Sequence, residues 1–213
     1  MKITKIGHCC LVIEENGVKL MTDPGAYSTG QEKITGLDAV LITHDHPDHI
    51  HVESLQAIIK NNPKVKIFTN QTVGKKLDEL GIKYEIVDDG NNTKVKEILI
   101  EGFGKEHAPM AKDWPLTENT GYFVAEKLFY PGDAFYIPPK KVKNLALPVA
   151  GPWMKISEAI DYAEAVKPEV CFPVHDGMFQ EGRGSIAQKI PEMLLPKSGI
   201  KFIPMKAGDS IEI

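Results

Sequence analysis

Ala39-Val40-Leu41-Ile42-Thr43-His44-Asp45-His46-Pro47-Asp48-His49 runs a buried-strand tetrad straight into a loop that carries three imidazoles and two carboxylates. In a strand-to-loop segment this spacing lets His44 and His46 project the same way, while the turn carries Asp48 and His49 toward a second point nearby. Without a cation, four donors in six positions would suffer desolvation and mutual repulsion with nothing to offset them. The loop therefore reads as a metal-binding segment able to serve two ions.

Working outward, the 213 residues and 42% hydrophobic content suit one substantial core, and residues 1–213 are expected to form a single domain. A net charge of −4 disfavours a broad basic face for nucleic acid. No apolar run has membrane-span length, and Met1 to His8 lacks a signal-peptide core, so the expected location is cytoplasmic. Cys9, Cys10 and Cys171 fit reduced thiols, because strand neighbours point to opposite faces and an odd count leaves one over; none has metal-ligand spacing.

The opening third reads as an antiparallel meander: Ile3 to Gly7, Cys10 to Glu14, a turn at Glu15-Asn16-Gly17, Lys19 to Thr22, and a stop at Asp23-Pro24-Gly25. Val52 to Lys60 has helical spacing, Val65 to Thr69 reads as a strand, Gln71 to Leu80 as a helix closed by Gly81, and Ile82 to Val87 as a strand. Lys94 to Glu101 and Gly121 to Tyr130 read as β segments around an irregular stretch from His107 to Glu118. Leu145 to Val149, a helix over Ile156 to Val166, Val170 to Val174, a helix over Ile186 to Leu195 and a closing strand pair between Lys201 and Ile213 complete the alternation. Strands interleaved with helices point to an α/β fold of two sheets covered by helices, an αββα four-layer sandwich.

His107, His175 and Asp133 each sit where an expected strand gives way to a loop, the position from which distant segments converge on one site. An Asp in a Pro-Gly-Asp turn is ordinarily a turn former, and only the company of the His44–His49 cluster gives Asp133 another meaning. The ordered set His44-x-His46-x-Asp48-His49, His107, Gly132-Asp133 and His175 resembles the metallo-β-lactamase superfamily along nearly the whole chain. The resemblance implies a dinuclear site with His44, His46 and His107 on one metal, Asp48, His49 and His175 on the other, and Asp133 as the bridge. An acidic bridge is unlike the true zinc β-lactamases and similar to the phosphodiesterase, lactonase and thioesterase branches. Gly7-His8-Cys9-Cys10-Leu11-Val12-Ile13 with Leu20-Met21-Thr22-Asp23-Pro24 resembles the opening of the ascorbate-phosphate-lactonase-like branch, although this chain is much shorter than the named lactonase.

Such a pair of ions would make hydroxide available near neutral pH, and zinc suits the donors best, with manganese and iron close behind. Asp48 and Asp133 are the candidate catalytic carboxylates, with Asp48 placed to orient the attacking water or relay its proton. Asp23 and His8 are candidates to support the ligands from behind. Arg183, the sole arginine, lies between two glycines and could hold an anionic substrate; Trp114 and Trp153 could wall the pocket. The expected activity is hydrolysis of a small anionic ester-type substrate, a lactone or phosphodiester, with a metal-dependent nuclease or a non-catalytic metal sensor as alternatives. The partner is then a small molecule, with no membrane span, nucleic acid disfavoured, and homo-oligomerisation left open.

Overall fold

The computed structural model describes residues 1–179 and 185–213. The first sheet takes β1 (Lys2–Gly7), β2 (Cys10–Glu15), β3 (Val18–Thr22), β4 (Ala39–Leu41), β5 (Lys66–Thr69) and β6 (Glu85–Ile86) in sequence order, with β14 (Ser210–Glu212) on the β1 edge. The second takes β7 (Asn92–Val95), β8 (Ile98–Phe103), β9 (Gly121–Val124), β10 (Leu128–Tyr130), β11 (Asn144–Pro148), β12 (Val170–Val174) and β13 (Lys201–Phe202), again side by side. β1 to β3 are antiparallel, joined at β2–β3 by Asn16-Gly17, both at positive φ as a type I′ hairpin demands. From β3 to β6, and from β10 to β13, the pairing is parallel.

Period-two alternation assigns the layers. Leu11 and Ile13 face the second sheet, joining Leu41, Phe68, Tyr122, Val124, Tyr130 and Phe172 in the central core. Cys10 and Val12 face the other way, toward Leu55 and Ile58 of α1 (Val52–Asn61) and Val73 and Leu77 of α2 (Gln71–Glu79). Phe129, Leu145 and Leu147 meet Ala159 and Ala163 of α3 (Ile156–Val166) and Ala187 of α4 (Ser185–Leu194). The order helix, sheet, sheet, helix is the expected αββα sandwich. Each fully buried aliphatic side chain contributes roughly 1.5–3 kcal/mol by leaving water.

Three expectations are corrected. Lys94 to Glu101 and Gly121 to Tyr130 are each a hairpin, β7–β8 turning at Lys96 and β9–β10 at Ala125-Glu126, residues held at φ of 52° to 54° with no glycine or asparagine to announce the turn. The closing strands do not pair with each other: β13 extends the second sheet and β14 the first. The strand expected over Ile82 to Val87 is confined to Glu85–Ile86 at a sheet edge.

Candidate metal centre

β3, β4, β8, β10 and β12 all end at one rim of the sandwich, and each is followed by a residue singled out above. Asp23 follows β3, the His44–His49 loop follows β4, His107 follows β8, Asp133 follows β10 and His175 follows β12, while His8 sits in the β1–β2 turn. The rim is built by close backbone approach. A Cβ on Gly25 would lie 1.7 Å from the Asp48 carbonyl oxygen, and one on Gly132, at φ 64°, would lie 2.3 Å from Asn119 Oδ1 and 2.9 Å from Thr43 Cβ. His8, Asp23 and His175 themselves occupy positive φ, 44°, 33° and 62°, a costly conformation for residues that carry a Cβ.

The side chains converge on Asp133. Its Oδ2 lies 2.8 Å from His175 Nε2, 3.3 Å from His107 Nε2 and 3.9 Å from His44 Nε2, and its Oδ1 lies 3.2 Å from His49 Nε2. His44 Nε2 and His46 Nδ1 face one another at 3.1 Å. Asp48 Oδ2 is 3.6 Å from His175 Nε2 and 3.8 Å from His49 Nε2. His44, His46 and His107 form one group whose donor atoms lie within 4.8 Å of one another; His44, His49 and Asp133 form a second; His8, Cys9, His49 and His175 form a third. Asp133 thus touches imidazoles from both halves of the expected pair of sites.

The outer contacts turn these atoms inward. Asp23 Oδ2 is 2.7 Å from His49 Nδ1, which leaves Nε2 to face Asp133. Asp23 also accepts from the Thr43 N–H, the Thr43 hydroxyl and the Tyr130 hydroxyl. With its proton on Asp23, Thr43 Oγ1 accepts from His44 Nδ1 at 2.9 Å, and His107 Nδ1 donates to the Ala108 carbonyl at 2.6 Å. The Gly177 N–H donates to His8 Nδ1 at 2.9 Å. Burial resists a charge on His8, but Cys9 and the hydrogen bond to Asp48 outweigh it and raise its pKa to about 9, while the Gly177 N–H favours an unprotonated Nδ1; in either state Nε2–H donates to Asp48 Oδ2 at 3.2 Å.

Buried and without a hydrogen-bond partner are His49 Nε2, His107 Nε2, Asp133 Oδ1 and both ring nitrogens of His175. Orphaned polar atoms of this kind are expensive unless something binds them. Burial opposes ionisation of Asp133, yet His49 and His175 hold its carboxyl well below the usual range. Burial likewise resists a charge on His49, but Asp133, Cys9 and Asp23 outweigh it and raise its pKa well above the usual value. Burial, then His49, keeps His44 well below. The anionic side of this cluster calls for positive charge while His44 resists a proton, and the donors fit divalent cations.

Of the other expected residues, Trp153 is buried, donates its indole N–H to Asp133 Oδ2 at 2.8 Å, and packs edge-on against His107 and His175. Trp114, the other tryptophan expected to wall a pocket, is 58% exposed on the loop after His107. Arg183 lies outside the described residues. Sequence reasoning missed Asn119, whose Oδ1 accepts from the Asp133 N–H and whose Nδ2 donates to the Pro131 carbonyl, fixing the turn that aims Asp133. It also missed Cys9, whose partners assemble only when β1, β4 and β12 meet.

The chain belongs to the β-lactamase superfamily: the model of its β-lactamase superfamily domain matches residues 2–175. Protein Rv0786c of Mycobacterium tuberculosis is 38% identical over 199 residues, 91% of this chain and 92% of that protein. The UPF0173 metal-dependent hydrolase MJ1163 of Methanocaldococcus jannaschii is 22% identical over 227 residues, 99% of this chain and all of its own length. Among solved structures, Igni18, a metallo hydrolase from Ignicoccus hospitalis, shares the fold with a TM-score of 0.77 at 22% identity, over 99% of this chain and 97% of its own. Among the described residues, no helix is long and apolar enough to cross a membrane.

Proposed function

We propose that this protein is a dinuclear metal-dependent hydrolase of a small, anionic ester-type substrate, a lactone or a phosphodiester. The observation that carries this reading is Asp133: one buried carboxylate within 4 Å of His44, His107, His49 and His175, with Oδ1 and three of the facing imidazoles orphaned. A structural zinc needs four closed ligands, and this rim gathers more donors than one ion can use. The metal-dependent hydrolase named among its relatives agrees in kind.

His44, His46 and His107 would hold one ion, His49, His175 and Asp48 the other, with Asp133 between them. Two divalent cations bound there, zinc most suitably, supply a water acidic enough to ionise near neutrality and a Lewis acid for the scissile carbonyl or phosphoryl group. The chain's own part is orientation and proton handling. Asp48, with its side chain 20% exposed and Oδ2 held by His8 Nε2–H, is the proposed carboxylate ligand that solvent reaches; it would orient the attacking water and relay its proton outward. Asp133 is buried and satisfied on one side by the Trp153 N–H, out of reach of solvent, which suits a bridge better than a proton relay.

The test is hydrolysis of a chromogenic phosphodiester and of a small lactone by zinc-loaded protein, with Asp133→Ala as the blank. Turnover of either substrate, lost in Asp133→Ala together with bound zinc, supports the reading and selects the ester class. Fewer than two zinc ions per chain by elemental analysis overturns it.

A further inference from the structure

We propose that Cys9 is a thiolate donor to the cation held by His49 and His175, so that this half of the centre takes a thiophilic metal and discriminates against manganese. The inference rests on the metal-binding reading above and adds a ligand to it. Cys9 is 1% exposed and belongs, with His8, His49 and His175, to a buried group whose donor atoms lie within 4.8 Å of one another. Its backbone is pinned: the Cys9 carbonyl accepts from the Thr22 hydroxyl at 2.8 Å.

The independent observation is on the histidines. His49 Nε2 and both ring nitrogens of His175 are buried without partners. His8 cannot serve them freely, because Gly177 occupies its Nδ1 and Asp48 its Nε2. Within that group the thiol of Cys9 is what remains uncommitted to face them. On binding, the thiol proton leaves to solvent as the metal–sulfur bond forms, and the soft donor favours zinc or cobalt over manganese. Cys10, its neighbour on β2, points the other way into the core beneath α1 and α2 and serves as the control.

The full chain is stripped, loaded with cobalt(II), and examined by elemental analysis and near-ultraviolet absorption. The expected result is two cobalt ions per chain and an intense sulfur-to-cobalt charge-transfer band that Cys9→Ser abolishes and Cys10→Ser retains. Zinc-edge X-ray absorption on the unmutated, zinc-loaded protein should show a sulfur neighbour at about 2.3 Å, and this needs no variant to fold. The preference for zinc over manganese should fall at least about tenfold in Cys9→Ser. Two ions per chain with no such band and a shell of nitrogen and oxygen alone would overturn the role of Cys9 while leaving the dinuclear reading intact. No bound cobalt in the unmutated chain would overturn both.

Discussion

Asp23 Oδ2 lies 2.7 Å from His49 Nδ1, the two residues standing 26 positions apart and both fully buried. Because Asp23 also gathers the Thr43 N–H and the Thr43 and Tyr130 hydroxyls, one carboxylate orients an imidazole, begins the His44–His49 loop and ties that loop to the second sheet. Asp23→Asn preserves size and tolerates the positive φ of this position, but turns an amide toward groups that all donate. The expected loss is 10- to 100-fold in zinc affinity and roughly 1–3 kcal/mol in stability. Chelator competition and urea unfolding read both, and an unchanged affinity would remove Asp23 from the centre.

Gly25 is expected to tolerate no side chain. The 1.7 Å overlap of an added Cβ is with the Asp48 backbone carbonyl, which cannot swing aside as a side chain could. Gly25→Ala must displace the loop bearing Asp48 and His49, at a cost of about 1–3 kcal/mol, with a drop in bound zinc out of proportion to that cost. Gly17→Ala, with no neighbouring atom within 4 Å, is the matched control: it strains a turn but should leave the zinc count unchanged.

Metal removal should destabilise the whole domain, since the imidazoles and Asp133 are buried and orphaned without a cation. For a single site, free metal at a thousand times Kd adds about 4 kcal/mol to the unfolding free energy. Calorimetry of stripped and zinc-reloaded protein should therefore show a clear upward shift in Tm on reloading. Coincident transitions would mean that the cluster binds no metal of consequence to the fold.

A pH dependence arises at Asp38, which leads into β4. It accepts from the Lys19 N–H at 3.0 Å and pairs with Lys96 Nζ at 2.8 Å, across to the β7–β8 turn. Partial burial resists its charge, but Lys96 and the Lys19 N–H outweigh that and lower its pKa. A lowered folded pKa adds stability at pH values above the unfolded value of about 3.9, lost as pH falls through the folded one. Asp38→Asn should then cost no more than about 1 kcal/mol at neutral pH, and the gap to the unmutated protein should close on acidification below pH ~4. A gap that persists in acid would assign the effect to packing.

What the sequence made legible followed from periodicity and from polar residues stranded at strand ends. His44 to His49, His107, Asp133 and His175 could be picked out because each interrupts or follows an apolar run, and the structure gathers them at one rim. Lys5 was hidden by its type: lysine reads as solvent-facing, yet it alternates in phase with Ile3 and lies buried, its Nζ donating to Asp176 Oδ1 at 2.7 Å and to the Pro173 carbonyl at 3.0 Å. Asn119 reads as one more loop asparagine, since its partners at Pro131 and Asp133 exist only after β9 and β10 pair. Cys9 reads as a reduced thiol without metal-ligand spacing because, His8 apart, its histidine neighbours come from segments about 40 and 166 positions away. The hairpin turn at Ala125-Glu126 was illegible for a local reason, since both residues adopt a left-handed conformation that their types do not favour.

Trp153 offers the sharpest separation of packing from hydrogen bonding at this rim. Its indole is tucked back over Gly151, where a Cβ would meet Nε1 at 2.7 Å, and its ring sits 5.8 Å from both His107 and His175 and 5.2 Å from Phe135. Its N–H donates to Asp133 Oδ2, the oxygen that also lies nearest His175. Trp153→Phe keeps an aromatic ring against the imidazoles and removes the donor; Trp153→Ala removes both. If the indole acts by fixing the Asp133 carboxylate, Trp153→Phe should weaken zinc about tenfold, the equivalent of about 1.4 kcal/mol and within the range of a charge-assisted hydrogen bond. The ring it keeps should hold its loss of stability well below that of Trp153→Ala, where about 3–5 kcal/mol is expected. Chelator competition measured beside thermal unfolding separates the two quantities. A Phe variant that binds zinc within twofold of the unmutated protein, while the Ala variant loses it, would show that the indole acts on Asp133 through packing alone.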